Sequence, residues 1–299
     1  ITSSPRSMGR SLLAVIAVVS ASRLGVSALR ASRACPAVPD ITVAVTAHVG
    51  NALNAKLLES TLVSVGRYAP GALVLVLDTG SQWPIEQLFA NITHSIERLR
   101  VHHVSSSRGQ LGSLLAVDGL KPELTGLIYL QHSTALVQCA AAVLSMPSVC
   151  HQAVILGGTR AVSKPFWAQH ALANALLGLL SARLNVHPPW RFDVAEHSTV
   201  YFSASAWQTV ARIGLWQSNA TGTPQLPEVR ELLLTGKLQN RKYTMFDCGQ
   251  ASEMLTGFLV AWVQSTAHSL EPRRSPPLCR FNGNQYTLKV HGHSYLKKT

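Results

Sequence analysis

The chain has 299 residues, 47% of them hydrophobic and 13% charged, enough to bury a sizeable core as one large domain or two small ones. Its net charge of +12 lies in the tails: residues 1–34 carry five Arg and no acid, residues 268–299 carry six Lys or Arg against Glu271, and the body between holds 15 basic and 13 acidic residues. A body so nearly balanced, with no basic stripe interleaved with aromatics, argues against a nucleic-acid reader.

Residues 1–34 read as a targeting segment. Met8-Gly9-Arg10, a candidate start, precedes the apolar run from Ser11 to Val19 and then the small residues Ser20-Ala21-Ser22, the plan of a secretory signal peptide. The run stops at Arg23, short of the roughly 20 residues a span requires, so a cleaved signal is expected and no stable membrane span. An Arg- and Ser-rich segment without acid leaves an organelle transit peptide as the alternative. The sequons Asn91-Ile92-Thr93 and Asn219-Ala220-Thr221 fit a glycoprotein of the ER or Golgi lumen or a secreted one. Five cysteines (Cys35, Cys139, Cys150, Cys248, Cys279) show no metal-ligand spacing. One or two disulfides fit an oxidising compartment; Cys139 and Cys150 are the closest pair, and the connectivity stays open.

From residue 35 the elements follow in order. A Pro-rich linker, 35–40, enters an apolar strand at 41–47. Residues 52–68 place Leu53, Leu57, Leu58, Leu62 and Val65 on one helical face, and Pro70-Gly71 ends it. A continuous apolar strand at 72–77 runs into Asp78-Thr79-Gly80-Ser81. A helix at 84–90, a strand at 99–104, a polar turn at 105–109, a helix at 111–120 and a strand at 127–130 complete the first half. This alternation implies an α/β fold with a parallel sheet of four or more strands and helices on both faces. The second half is less regular: strands near 154–156 and 199–202, helices at 166–184, 204–213 and 252–264, a rigid turn at 188–190 and a polar loop at 217–227. The expected organisation is a signal or targeting segment 1–34, a single domain 35–267, and a basic tail 268–299.

Asp78-Thr79-Gly80-Ser81 has two meanings. At the carboxyl end of a strand in an open α/β sheet it marks the place where ligands bind. The same four residues are also the active-site signature of pepsin-like aspartic proteases, with Phe246-Asp247-Cys248-Gly249 as a damaged second motif. The helical, Ala/Leu-rich sequence before Asp78 and the lack of a Tyr-bearing hairpin after it count against the protease.

The strand–helix–strand pattern resembles the GT-A glycosyltransferases, in particular family-2-like enzymes, over about residues 41–135. The resemblance rests on Leu58-Glu59-Ser60-Thr61-Leu62-Val63-Ser64-Val65 in the first helix, on Leu77-Asp78-Thr79-Gly80-Ser81, and on the turn Ser107-Arg108-Gly109-Gln110-Leu111-Gly112. It implies a GT-A-like, Rossmann-like domain in which 41–135 hold a nucleotide sugar and 136–267 hold a hydroxyl acceptor (glycan, protein or lipid). Asp78 would bond the nucleobase, Arg108 the nucleotide or its phosphates, and Ala47 and His48 would touch the base. Where the family carries its metal-binding Asp-x-Asp, this chain has Gln131-His132-Ser133. Mn²⁺ or Mg²⁺ with the nucleotide sugar is thus the implied cofactor, yet the hard carboxylates that hold such ions are missing. Glu253, then Asp247, are the candidates for the acid that deprotonates the acceptor. His291-Gly292-His293 stands where some family members place a metal-binding His. The expected function is sugar transfer from a nucleotide sugar to a hydroxyl without an Asp-x-Asp metal site. A catalytically silent lumenal binding protein of the same fold is the alternative, and the protease is third.

Overall fold

The computed structural model describes residues 34–83, 85–89, 92, 96–104, 109–119, 126–145, 152–185, 191–212, 227–267 and 287–289. The chain divides into two units, Ile1–Ala34 and Cys35–Thr299, and the architecture below is that of the second. Residues 1–33 of the signal segment, Asn91 and Thr93 of the first sequon, the whole second sequon, Arg108 and His291-Gly292-His293 lie outside the described residues.

Strand β1 (Ile41–Ala47) is buried along its whole length. Helix α1 (Ala52–Tyr68) follows, capped by Asn51, whose Oδ1 accepts from the Asn54 N–H at 2.9 Å; such a cap is worth about 1 kcal/mol. The helix buries Ala55, Leu58, Thr61, Leu62 and Val65, and Gly71, in a left-handed conformation (φ +74°), turns the chain into β2 (Leu73–Asp78). The order continues α2 (Ile85–Phe89), β3 (Arg98–His103), α3 (Gly109–Gly119), β4 (Gly126–Gln131), β5 (Thr134–Leu136), α4 (Ala141–Leu144), β6 (Ala153–Ile155), β7 (Thr159–Ser163), α5 (Lys164–Gln169), α6 (Ala171–Leu184) and β8 (Arg191–Ala195). After a 3₁₀ turn, Glu196–Ser198, come β9 (Val200–Ser203), α7 (Ala204–Arg212), α8 (Pro227–Thr235), β10 (Lys237–Leu238), β11 (Arg241–Lys242), α9 (Met245–Ala267) and β12 (Thr287–Lys289).

The fold is α/β, built on a mostly parallel six-stranded sheet in the order β3-β2-β1-β4-β9-β6. β1 pairs in parallel with β2 and β4, β2 pairs in parallel with β3, and β9 runs antiparallel to both β4 and β6. Side chains of successive strand residues leave on opposite faces, and the core splits accordingly. Val43, Val45, Val74, Val76, Ile128 and Leu130 pack under α1 and α2 on one face. Ala44, Leu77, Leu127 and Tyr129 pack under α3, α6 and α9 on the other.

Three details differ from the sequence reading. The helix expected at 166–184 is two helices, broken at His170. The helix expected from Ser252 begins seven residues earlier, at Met245, because Thr244 caps it. Within the expected tail, Thr287–Lys289 pairs antiparallel with β5. The connectivity left open by the sequence is given among the described residues by a disulfide between Cys35 and Cys139, closing a separation of 104 residues, while Cys248 is buried in the α9 core.

Candidate functional site

In a sheet ordered β3-β2-β1-β4, the chain first builds outward from β1 and then returns to its other side. The switch point therefore lies between β1 and β4, and open α/β sheets bind ligands outside the carboxyl ends of strands there. Ala47 and His48 end β1; Gln131, His132 and Ser133 end β4. The strands are joined to the last residue: Thr46 pairs with Gln131, and the His132 N–H donates to the Thr46 carbonyl at 2.8 Å. The His132 carbonyl in turn accepts from the Thr61 hydroxyl at 2.7 Å.

One strand over, the Asp78–Ser81 loop is laced onto the end of β1. Ala47 pairs with Asp78, and its carbonyl accepts both the N–H (2.9 Å) and the hydroxyl (3.0 Å) of Thr79. Gly80 supplies the left-handed turn (φ +88°), a conformation that costs a side-chain-bearing residue about 1 kcal/mol or more. The Val49 N–H donates to the Ser81 hydroxyl at 2.8 Å, and the Val49 carbonyl accepts from the Gln82 and Trp83 N–H groups. His48 is exposed, its carbonyl accepting from the Asn54 amide at 3.3 Å.

Asp78 itself is buried. Its Oδ1 accepts from the Ser81 N–H at 2.9 Å, and its Oδ2 lies 3.0 Å from His103 Nδ1 at the end of β3. Burial by itself would raise the Asp78 pKa, but the bonds from the Ser81 hydroxyl and N–H and from His103 outweigh it, and the pKa is lowered. The carboxylate is therefore an anion held from inside the protein. His102, next in sequence, has its pKa lowered by burial and by the neighbouring His103.

The second half of the chain reaches the same edge through β9. Because β9 is antiparallel and Val200 faces Tyr129, the preceding turn Glu196–Ser198 lies beside the carboxyl end of β4. His197 (φ 57°) and Ser198 (φ 53°) are consecutive left-handed residues without being glycine; positions of this kind cost of order 1–3 kcal/mol and persist only where the surroundings enforce them. Here they are enforced. The His197 N–H donates to Glu253 Oε1 (2.9 Å), its carbonyl accepts from the Gln110 amide (3.2 Å), and the Ser198 hydroxyl meets that of Ser252 (2.9 Å). Gln110, in the first turn of α3, passes the link on: its carbonyl accepts from the Tyr129 hydroxyl at 3.0 Å, and that hydroxyl also meets Thr46. A continuous path thus runs Thr46–Tyr129–Gln110–His197–Glu253 beneath the edge. Burial pushes the Tyr129 pKa up, keeping the hydroxyl neutral.

The predicted residues fall into three groups. Asp78, Ala47, His48, Gln131, His132, Ser133 and Glu253 are placed along the carboxyl edge. Asp247 lies in the first turn of α9, in a reciprocal cap: its Oδ2 accepts the Thr244 N–H and hydroxyl at 2.7 Å each, and its own N–H donates to the Thr244 hydroxyl at 3.2 Å. Those bonds from Thr244 lower its pKa despite some desolvation, with Arg241 and His170 adding to the effect. Arg108 is outside the described residues. The sequence reading assigned no role to His103, Gln110, Tyr129 or His197. His103 left one signal, a polar residue ending the row Leu99, Val101; nothing at His197 announces a left-handed turn.

Two chemistries can be tested against these contacts. Gln131, His132 and Ser133 offer an amide, an imidazole and a hydroxyl, and among the described residues no group of three or more His, Cys, Asp or Glu is placed to hold a metal ion. That donor set does not fit Mg²⁺ or Mn²⁺, which take hard oxygen ligands. A protease dyad needs two carboxylates sharing a proton. Asp78 is instead paired with His103 and Ser81, Asp247 is capping a helix, and the sheet is not that of an all-β lobe. Among the described residues no helix is long and apolar enough to cross a membrane.

No protein-family model matches the sequence, and no curated protein matches it. Among solved structures, S. aureus TarS residues 1–349 is 13% identical over 57% of this chain and 49% of that one, with a TM-score of 0.33. The same TarS segment in complex with UDP-GlcNAc is 16% identical over 36% of this chain and 31% of that one, with a TM-score of 0.29. WbbM, a bifunctional glycosyltransferase in its apo form, is 11% identical over 59% of this chain and 34% of that one, with a TM-score of 0.33. The chain thus spans 31% to 49% of the length of these structures, of which WbbM is named as a glycosyltransferase.

Proposed function

We propose that this chain is a glycosyltransferase-like protein that takes a nucleotide sugar along the carboxyl edge of its parallel strands and moves the sugar to a hydroxyl acceptor. The observation that carries the reading is the lacing of the Asp78–Ser81 loop onto β1 beside the switch point, which keeps a rigid polar rim where such sheets take ligands. In this chemistry the acceptor oxygen bonds to the anomeric carbon, the bond to the diphosphate breaks, and a carboxylate takes the hydroxyl proton. Glu253, whose Oε1 accepts from the His197 N–H, is the acid at the edge that would take that role, while Asp247 caps its helix. With no carboxylate-held metal at Gln131–Ser133, the leaving diphosphate would be met by protein donors, Arg108 among them. The signal pattern of residues 1–34 and the Cys35–Cys139 disulfide support a secretory compartment, where disulfides persist.

Thermal shift with UDP and GDP, each with and without Mn²⁺, tests the reading. A nucleotide at about 100 times its Kd contributes about 2.7 kcal/mol, which raises the melting temperature by roughly 5–10 °C. The expected result is a rise with nucleotide alone that Mn²⁺ does not enlarge. The loss of carboxylates at Gln131–Ser133 favours one other reading, a catalytically silent lumenal binder of the same fold. A chain that no nucleotide stabilises would be that binder and not a transferase.

A further inference from the structure

A cleft of about 560 Å³ lies between α6 and the β10–β11 hairpin, and it shares no lining residue with the carboxyl edge. Its volume is in the range of small-molecule sites, about 300–1,000 Å³. The floor is one face of α6, where Ala171, Ala175, Gly178 and Ala182 recur at helical spacing and carry almost no side chain. Packing does not require the glycine: a Cβ built at Gly178 meets nothing within 4 Å. Glycine inside a helix is destabilising relative to alanine, so the bare position costs the helix and leaves room in the cleft.

The polar groups stand around that floor. The hairpin turns through Gln239 (φ 51°) and Asn240 (φ 62°), two left-handed residues in succession. Gln239, Arg241 and Tyr243 line the cleft on the hairpin side, and Asn174 lines it on the helix side. The Arg241 guanidinium stacks over the Tyr243 ring, 5.7 Å from its centroid, and forms no ion pair among the described residues. Asp247 feels the charge of Arg241, but its Oδ2 is bonded to Thr244. Among the described residues no Asp or Glu lines the cleft. Tyr243 is only 8% exposed, yet its hydroxyl has no hydrogen-bond partner among the described residues; a buried tyrosine hydroxyl usually finds one. The cleft thus holds one cation, two amides and an unused hydroxyl over an apolar floor, with no anion to complete the set.

We propose that this cleft binds a sugar-sized ring bearing one anionic group, a carboxylate or a phosphate. Arg241 presents the planar fork that pairs with either anion. The Asn174 and Gln239 amides and the Tyr243 hydroxyl suit the several hydroxyls of a sugar, and its C–H face lies on the floor at Ala175 and Gly178. The site stands apart from the nucleotide-sugar reading and shares none of its residues.

Calorimetric titration of the full chain with glucuronate, glucose 6-phosphate, glucose and inorganic phosphate tests it. At least one of the charged sugars should bind roughly tenfold or more tighter than glucose and than inorganic phosphate. Arg241→Gln should weaken the charged sugar roughly ten- to a hundredfold, the scale of a hydrogen bond to a charged group, and leave glucose unchanged. Tyr243→Phe deletes only a hydroxyl that the fold does not use. It should weaken the charged sugar roughly three- to tenfold at an unchanged melting temperature. Gly178→Leu fills the floor and should abolish binding while the melting temperature holds or rises, since leucine is the better helix former. Inorganic phosphate binding as tightly as the charged sugars would mean a site for a bare anion, and glucose binding as tightly would mean that charge is not read. Either result overturns the proposal, as does a wild-type chain that binds none of the four, or an Arg241→Gln or Gly178→Leu chain that binds like the wild type. None of these outcomes bears on the nucleotide, which the thermal shift reads separately.

Discussion

At one corner of the sheet Asp78 holds the ring of exposed His103; at the other Glu253 holds the backbone N–H of His197, with the His197 ring nitrogen 3.7 Å away. Both corners pair a histidine with a carboxylate on the carboxyl edge, but they are built differently. The first is assembled by strand register, Asp78 opposite His103 on neighbouring parallel strands, and its loop is closed by Ser81 on Asp78 and by Ala47 and Val49 at the end of the adjacent strand β1. The second depends on a helix 56 residues further along the chain, which must dock closely enough to capture a strained turn. A rim made by register is expected to survive local change, and a rim made by docking to fail when the docking distance changes.

The largest expected effect follows from that docking. A Cβ on Gly257 would run into the backbone carbonyl of Asp193 and crowd Val194 and Ala195, so α9 lies against β8 only because position 257 is bare. Gly257→Ala is expected to cost of order 3 kcal/mol. Urea unfolding reads the loss, and amide exchange should rise at the 196–198 turn before it rises at Thr79–Ser81. Equal rises at both corners would show that the Asp78 corner depends on the docking of α9 as much as the His197 turn does.

Glu253→Ala comes next. It removes the acceptor of the His197 N–H while leaving two left-handed residues in place, and is expected to cost about 1–3 kcal/mol by chemical denaturation. Adding His197→Gly, which takes the left-handed conformation without the Cβ penalty, should recover part of that loss. No recovery would mean that the turn carries no strain.

The smallest effect belongs to Asp78→Asn, about 1 kcal/mol at neutral pH. Its size falls with pH in a defined way. The pKa of Asp78 is lowered in the folded chain, so the unfolded chain binds the proton first as acid is added. The stabilisation is complete above the unfolded carboxylate value and fades as pH falls through the folded one. The wild type should therefore lose its advantage over Asp78→Asn in an acid titration of melting temperature. A gap that widens in acid would show that the carboxyl prefers its protonated form.

The first corner was largely legible in sequence. Apolar runs of strand length, the helix between them, and Gly80 two residues after Asp78 each have a local physical cause: continuous burial, helical periodicity and a left-handed turn. The α1 boundaries at Ala52 and Tyr68 follow from Asn51 and Pro70-Gly71 for the same reason. The second corner was not legible. Asn and Gly advertise left-handed turns, but His197 and Ser198 do not, and only Glu253, Gln110 and Ser252 arriving from elsewhere hold them there. The start of α9 was missed because the Thr244–Asp247 cap is spaced like many surface pairs and becomes a cap only when the backbone forms the first turn.

The sequence by itself determined the order of strands and helices from β1 to β4, the carboxylate at the end of β2, and the absence of acids at the end of β4, since these depend on periodicity and residue type. Tertiary structure alone decided that β4 returns to the far side of β1, that Asp78 turns inward to His103, and that Glu253 is bound to a strained turn. Those outcomes depend on which distant groups satisfy each buried donor and acceptor, and no local pattern carries that information.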